Sequence, residues 1–114
     1  MVQNRNKLID LLIGNTANVI THRVLEKAIQ DEDIAKKYFK EIKNSLDIAS
    51  KYREKINPID HPMPLKDAQE IKERIMAKVK GELSLRISRG YQGINLALVE
   101  VFLDEALTEL KIIN

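Results

Sequence analysis

The sequence contains no cysteine and no tryptophan, and it has few glycines, prolines and aromatic residues. Without cysteine, disulfide bonds and thiolate zinc sites are excluded. Only five of the 114 residues are Phe or Tyr, so we expect a hydrophobic core built mainly from aliphatic side chains. The fifteen isoleucines and the abundant Lys and Glu are typical of a thermophile, although an AT-rich genome would produce the same bias.

A long hydrophobic run is absent as well. The apolar run from Leu8 to Ile13 is far shorter than the roughly 18 residues that a membrane-spanning helix requires, and no small-residue cleavage site follows it. We therefore expect a cytoplasmic protein that does not associate with membranes. Hydrophobic residues make up 44% of the chain and charged residues 32%, which predicts a single folded domain over residues 1–114.

Apolar residues recur at helical spacing along most of the chain. A helix is predicted over residues 4–30, in which Gly14 either ends one helix or lies inside it at a cost of about 1 kcal/mol. A second helix is predicted from a turn near Asp31 to residue 56, because its apolar residues are three or four positions apart. Three prolines within 57–64 predict a stiff connector, after which a third helix begins near Leu65.

The segment 83–96 has two interpretations. Leu83 and Ile87 continue the apolar row of the third helix in steps of four, which favours a helix that ends near Ser88. Leu83, Leu85 and Ile87 also alternate with polar residues ahead of a glycine-containing turn, which favours a β-hairpin. The predicted fold is an all-α antiparallel bundle of four to five helices. The alternative is an α+β fold with a short β-hairpin at about 83–96.

The last segment, 94–113, carries apolar residues on nearly every side of its predicted helix. An ordinary surface helix has one apolar stripe, whereas a helix that is apolar all round is buried on several sides. Because a short chain can hardly surround such a helix alone, we predict that it is central in the bundle or lies at the interface of a homodimer or higher homo-oligomer. The predicted interface residues are Leu96, Val99, Phe102, Leu103 and Leu107.

Basic residues are concentrated just ahead of this segment. Residues 65–93 carry seven Lys or Arg against four Asp or Glu, whereas residues 94–114 carry one against four. One interpretation is that the two segments pack together. Tyr91 would then lie on the core, and Arg86 and Arg89 would pair with acids of the last helix. The other is that two arginines, a flexible turn and one aromatic ring bind a nucleic acid. The predicted nucleic-acid-binding residues are Lys78, Lys80, Arg86, Arg89 and Tyr91.

Titratable residues give little indication of catalysis. His22 lies four residues before Glu26, which would place half of a metal site on one helix face, but no further ligand has a recognisable spacing. Glu70 and Glu73 have a spacing that suits Mg²⁺ on a helix, as in helical nucleotide hydrolases, yet they alternate with basic residues as on a solvated face. We predict no catalytic residue, no metal site and no cofactor.

These observations predict a non-catalytic, self-associating interaction or scaffold module that also has the potential to bind a larger protein. The alternative is a nucleic-acid-binding module that uses the basic segment 72–93. A metal-dependent nucleotide hydrolase is the second alternative.

Overall fold

The computed structural model describes residues 4–57 and 63–113, and these residues form helices joined by turns. The helices are α1 (Arg5–Ala28), α2 (Glu32–Ile56), α3 (Leu65–Ser88) and α4 (Leu98–Glu109). The predicted all-α class is confirmed for this part of the chain. None of the described helices is long and apolar enough to cross a membrane. Most of the predicted connector, residues 58–62, lies outside the described residues.

Side-chain caps determine where the first two helices begin. The side chain of Asn4 accepts a hydrogen bond from the backbone N–H of Asn6 at the start of α1. The carboxylate of Asp31 accepts hydrogen bonds from the backbone N–H groups of Asp33 and Ile34 at the start of α2. Such caps satisfy N–H groups that have no partner within the helix. The turn near Asp31 therefore needs neither glycine nor proline.

Helix α1 continues through Gly14 without a break. A Cβ atom at this position would meet only the flexible end of Lys78, whose Nζ would lie 3.8 Å away. The hydroxyl of Thr16 donates a hydrogen bond to the backbone carbonyl of Leu12, one turn earlier. The hydroxyl of Thr16, two residues after the glycine, is thus satisfied within the helix and does not interrupt it.

The end of α3 explains why the favoured interpretation of 83–96, a helix that ends near Ser88, is correct and the alternative β-hairpin does not form. No strand occurs in the part of the chain that the structure describes, and residues 83–88 continue the helix. The N–H of Tyr91 donates to the carbonyl of Arg86, and the N–H of Gly90 donates to the carbonyl of Ile87. These two bonds form a Schellman motif. Gly90 has a φ of 98°, which favours glycine. The glycine therefore terminates a helix rather than joining two strands, and Leu85 is an exposed residue on that helix.

Helix α1 takes the central place that the sequence predicted for the last helix. It contacts each of the other three helices, whereas α2 packs on α1 alone among the helices described. Ten residues of α1 are buried, and they cover most of its circumference. They are Leu8, Leu12, Ile13, Thr16, Ala17, Val19, Ile20, Thr21, Val24 and Leu25.

Helices α1 and α3 run in the same direction along the bundle. Arg5 contacts Asp67 at 2.6 Å, and Asp10 contacts Arg74 at 2.7 Å, so residue numbers rise together in the two helices. The buried residues of α3 lie three or four positions apart and face the core. They are Ala68, Ile71, Ile75, Val79 and Leu83. The neighbouring flank of α3 is therefore left at the surface.

A buried arginine joins the end of α2 to the end of α4. Arg53 is fully buried, and its Nε and Nη2 donate to the backbone carbonyl of Lys111 at 3.3 and 2.9 Å. Its Nη1 donates to the backbone carbonyl and the side-chain oxygen of Asn57, at 3.1 and 2.6 Å. Burial lowers the pKa of Arg53, but a guanidinium remains charged in proteins. The charge is thus spread over carbonyl oxygens at two helix ends.

Candidate functional site

The predicted interface residues are divided between the core and the surface. Val99, Leu103 and Leu107 are at most 1% exposed within the single chain. Phe102 packs at the edge of the core, whereas Leu96, in the turn before α4, is 46% exposed. The buried three are covered by α1 and α3 of the same chain. The reason for placing them against a second copy therefore no longer holds.

The predicted nucleic-acid-binding residues do not share one surface. Lys78 and Lys80 are two positions apart and therefore face different sides of α3. Lys78 lies towards α1, whereas Lys80 lines a groove on the opposite flank. Arg89 is exposed at the end of α3. Of these five residues, the structure brings together only Arg86 and Tyr91. The guanidinium of Arg86 lies over the ring of Tyr91, 5.7 Å from the ring centroid.

The opposite charges of the third and fourth helices are partly used within the chain. Lys72 on α3 lies 3.4 Å from Asp104 on α4. Arg23 on α1 lies 3.3 Å from Glu109, near the end of α4. The contact of Lys72 fits the interpretation in which the basic and acidic segments pack together, whereas Arg23 neutralises an acid of α4 from α1. Arg86, however, lies over the ring of Tyr91 and does not pair with an acid of the last helix.

His22 contacts α2 instead of its predicted partner Glu26. Its Nε2 lies 3.3 Å from a carboxylate oxygen of Glu41, and its ring packs against that of Tyr38 at a tilt of 32°, with centroids 5.3 Å apart. Burial lowers the pKa of His22, the carboxylate of Glu41 raises it, and the charge of Arg86 lowers it. No group of three or more potential metal ligands occurs in the described residues. His22 thus stabilises the contact between two helices.

We expect His22 to make the protein less stable in acid. Because burial holds its pKa below 6.5 in the folded state, the unfolded chain binds the proton more readily. The stabilisation is fully present above pH 6.5 and is lost as the pH falls through the folded-state pKa. Urea denaturation between about pH 7 and pH 5 should show a larger loss for the wild type than for His22→Phe. Glu41→Gln should steepen the loss, because this carboxylate opposes the effect of burial. Equal pH dependence in the wild type and His22→Phe would contradict this assignment.

A polar cavity of about 300 Å³ lies between the starts of α1 and α3. It is lined by the two ion pairs that join these helices, Arg5 with Asp67 and Arg74 with Asp10, and by Glu70. Both aspartates are neutralised by arginines at hydrogen-bond distance. The ion pairs that line the cavity therefore cross-link two parallel helices, and each aspartate is already paired with an arginine.

An apolar groove of about 600 Å³ follows the free flank of α3. We call it the α3 groove, and it is lined by Leu65, Ala68, Gln69, Lys72, Glu73, Met76, Ala77, Lys80 and Ile113. Leu65 is 83% exposed, although it is a large aliphatic residue. The sequence predicted Leu65 only as the start of the third helix and did not distinguish Met76 from the apolar row that faces the core. The spacing nevertheless indicates that both residues differ from the core row, because neither lies a multiple of four positions from Ile71 and Ile75.

Charges of both signs lie along the α3 groove. Glu73 and Lys80 both line it and are exposed on either side of Met76. Seven residues, or about two helical turns, separate them, so they lie on the same side of α3. Lys72, at the edge nearer α4, is held by Asp104. The groove therefore combines an apolar floor with an acidic residue, Glu73, and a basic residue, Lys80. Neither of them shares the ion pair that Lys72 makes with Asp104.

Comparisons of this chain with protein-family models, with curated proteins and with solved structures gave no match. The molecule is described by its fold, an all-helical domain with α1 at its centre, and by the surface that this fold leaves open. A function has to be argued from that surface.

Proposed function

We propose that this protein is a non-catalytic interaction module that associates with a second copy of itself through the α3 groove. The observation that carries the proposal is the exposure of apolar side chains along one flank of a long helix, with Leu65 at 83%. Burying apolar surface stabilises an assembly by about 25 cal/mol per Å². Contiguous apolar patches rimmed by polar residues are typical of interaction sites.

The charges around the groove support a second copy as its occupant. Lys72 is paired with Asp104, so Glu73 and Lys80 are the two lining residues whose charges remain for a partner. When two identical surfaces meet across a two-fold axis, such a pair is complementary to itself. A nucleic acid would instead be matched by a rim of basic residues alone.

We expect Met76→Glu to convert the self-associated protein into monomers. The change places a carboxylate in the apolar groove of both copies, and we expect the Kd of self-association to rise by at least about 100-fold. Size-exclusion chromatography with light scattering measures the mass, and far-ultraviolet circular dichroism checks that the helices persist. Phe39→Glu is the matched control, because Phe39 is 63% exposed on α2 and away from the groove. This control should keep the mass of the wild type.

Three results would contradict the proposal. The first is a wild-type chain that is monomeric at every concentration tested. The second is dissociation by Phe39→Glu with no effect of Met76→Glu, which would move the contact to α2. The third is a peak with strong absorbance at 260 nm that salt removes, which would favour nucleic-acid binding near Arg86 and Tyr91. This absorbance would be conspicuous, because the chain has no Trp and only three Tyr.

A further inference from the structure

We infer that two copies of the chain meet through an antiparallel contact of α3 with α3, around a two-fold axis between Met76 and Ala77. In this arrangement Glu73 of each copy pairs with Lys80 of the other. The inference rests on the proposed function, because it specifies the register of the same contact.

The apolar residues of the flank are spaced symmetrically about Met76. Leu65 and Ile87 lie eleven residues before and after it, and eleven residues correspond to three helical turns. All three therefore lie along one stripe of α3. Leu65 and Ile87 are 83% and 42% exposed in the single chain. With the axis between Met76 and Ala77, Leu65 of each copy faces Ser88 of the other, one residue beyond Ile87, so that both ends of the stripe are covered.

The charges select the antiparallel direction. In a parallel two-fold pair of helices each residue faces its own copy, so that Glu73 would face Glu73 and Lys80 would face Lys80. Like charges directly opposed across an interface weaken it. The antiparallel arrangement converts both repulsions into attractions, and the two-fold symmetry makes each attraction occur twice.

The charges also select the register. With the axis between Met76 and Ala77, each residue faces the residue of the other copy that lies equally far on the other side of the axis. Glu73 therefore faces Lys80. Moving the axis onto Met76 would place Lys72 opposite Lys80, a repulsive pair. The inferred register is thus the one in which the free charges of the groove are complementary. The α3 helix, with 24 residues, is about 36 Å long, which allows an extended contact along the flank.

Charge reversals test the pairing directly. Glu73→Lys alone and Lys80→Glu alone should each raise the Kd of the dimer by about tenfold, because two attractions become two repulsions. The variant with both substitutions should return to a Kd near that of the wild type. Analytical ultracentrifugation at low salt gives the three constants. Glu82→Lys is the matched control, because Glu82 is exposed on α3 but does not line the groove, and it should leave the Kd unchanged.

A chemical cross-link tests the position of the axis. The chain has no cysteine, so Met76→Cys introduces a single thiol beside the inferred axis, and a short bis-maleimide should then join two copies covalently. Lys36→Cys, on the exposed surface of α2, should react with the reagent without forming a dimer. Reaction of both variants with a monofunctional maleimide checks that each thiol can be modified at all.

The outcomes separate the two proposals. A wild-type dimer that Met76→Glu dissociates but that is insensitive to the charge reversals would overturn the register and leave the proposed function standing. Single reversals that weaken the dimer without rescue by the double variant would also overturn the pairing. A monomeric wild type would overturn both proposals. Restoration by the double variant, together with the cross-link at Met76→Cys, is the result we expect.

Discussion

Replacing Leu103 with glutamate is expected to unfold the protein rather than to dissociate an assembly. Leu103 is on α4, is fully buried and belongs to the single hydrophobic core. The substitution removes a well-packed aliphatic side chain and places a carboxyl group where nothing replaces its hydration. We expect a loss of at least about 4 kcal/mol, which is comparable to the entire stability of many small domains. The measurement is circular dichroism with thermal unfolding.

Two further variants make this expectation quantitative. Leu103→Ala should remain folded and lose about 3 kcal/mol, the usual cost of a cavity at a buried leucine. Val101→Glu is the matched control, because Val101 is on the same helix and 51% exposed. It should change the stability by less than about 0.5 kcal/mol. If Leu103→Glu instead gave a folded protein of smaller mass, Leu103 would lie at an interface, as the sequence predicted.

Replacing Arg53 with alanine is expected to lower the free energy of unfolding by about 3 kcal/mol. The variant removes both donors to the partly buried carbonyl of Lys111, and a buried acceptor that loses its partner costs about 1–3 kcal/mol, which is an upper bound for this site. It also removes the packing of a fully buried side chain. Lys111 has a φ of 56°, so the turn after α4 already adopts a conformation that favours glycine. We therefore expect this turn to loosen first.

Urea denaturation of three variants would test the role of Arg53. Arg53→Lys keeps the positive charge but lacks the planar fork that reaches acceptors on two helices, so it should recover only part of the loss. Lys51→Ala, on the exposed side of α2, should change the stability by less than about 0.5 kcal/mol. A stability of Arg53→Ala within about 1 kcal/mol of the wild type would show that the buried hydrogen bonds contribute little.

The helical fold was predictable because its signals are local. The apolar residues of α2 and α3 recur at helical spacing, and Asp31 and Gly90 supply the cap and the terminating turn that these boundaries need. The hairpin at 83–96 was the competing interpretation because two periodicities coexist there. The structure decided for the helix, in which Leu83 is buried and Leu85 is exposed.

The candidate site was predictable only where its residues are neighbours in sequence. Arg86 and Tyr91 were expected to act together, and they do contact each other across the turn after α3. Lys78 and Lys80 were grouped with them, yet the helix places these two lysines on different sides. Arg53 lies four residues after Ala49 on the buried row of α2, but its acceptor Lys111 is 58 residues away in sequence, so the sequence did not reveal their contact.

The sequence by itself determined that the chain is helical, where the cap at Asp31 begins a helix, and how much apolar surface has to be buried. Only the tertiary structure decided which apolar residues are covered by the chain. Leu103 looked suitable for an interface but is enclosed by neighbouring helices, whereas Leu65 and Ile87 are exposed on one flank of α3, with the half-buried Met76 between them. The physical reason is that helical periodicity specifies the direction of each side chain around its own axis. It carries no information about which other helix, in this chain or in a second copy, lies in that direction.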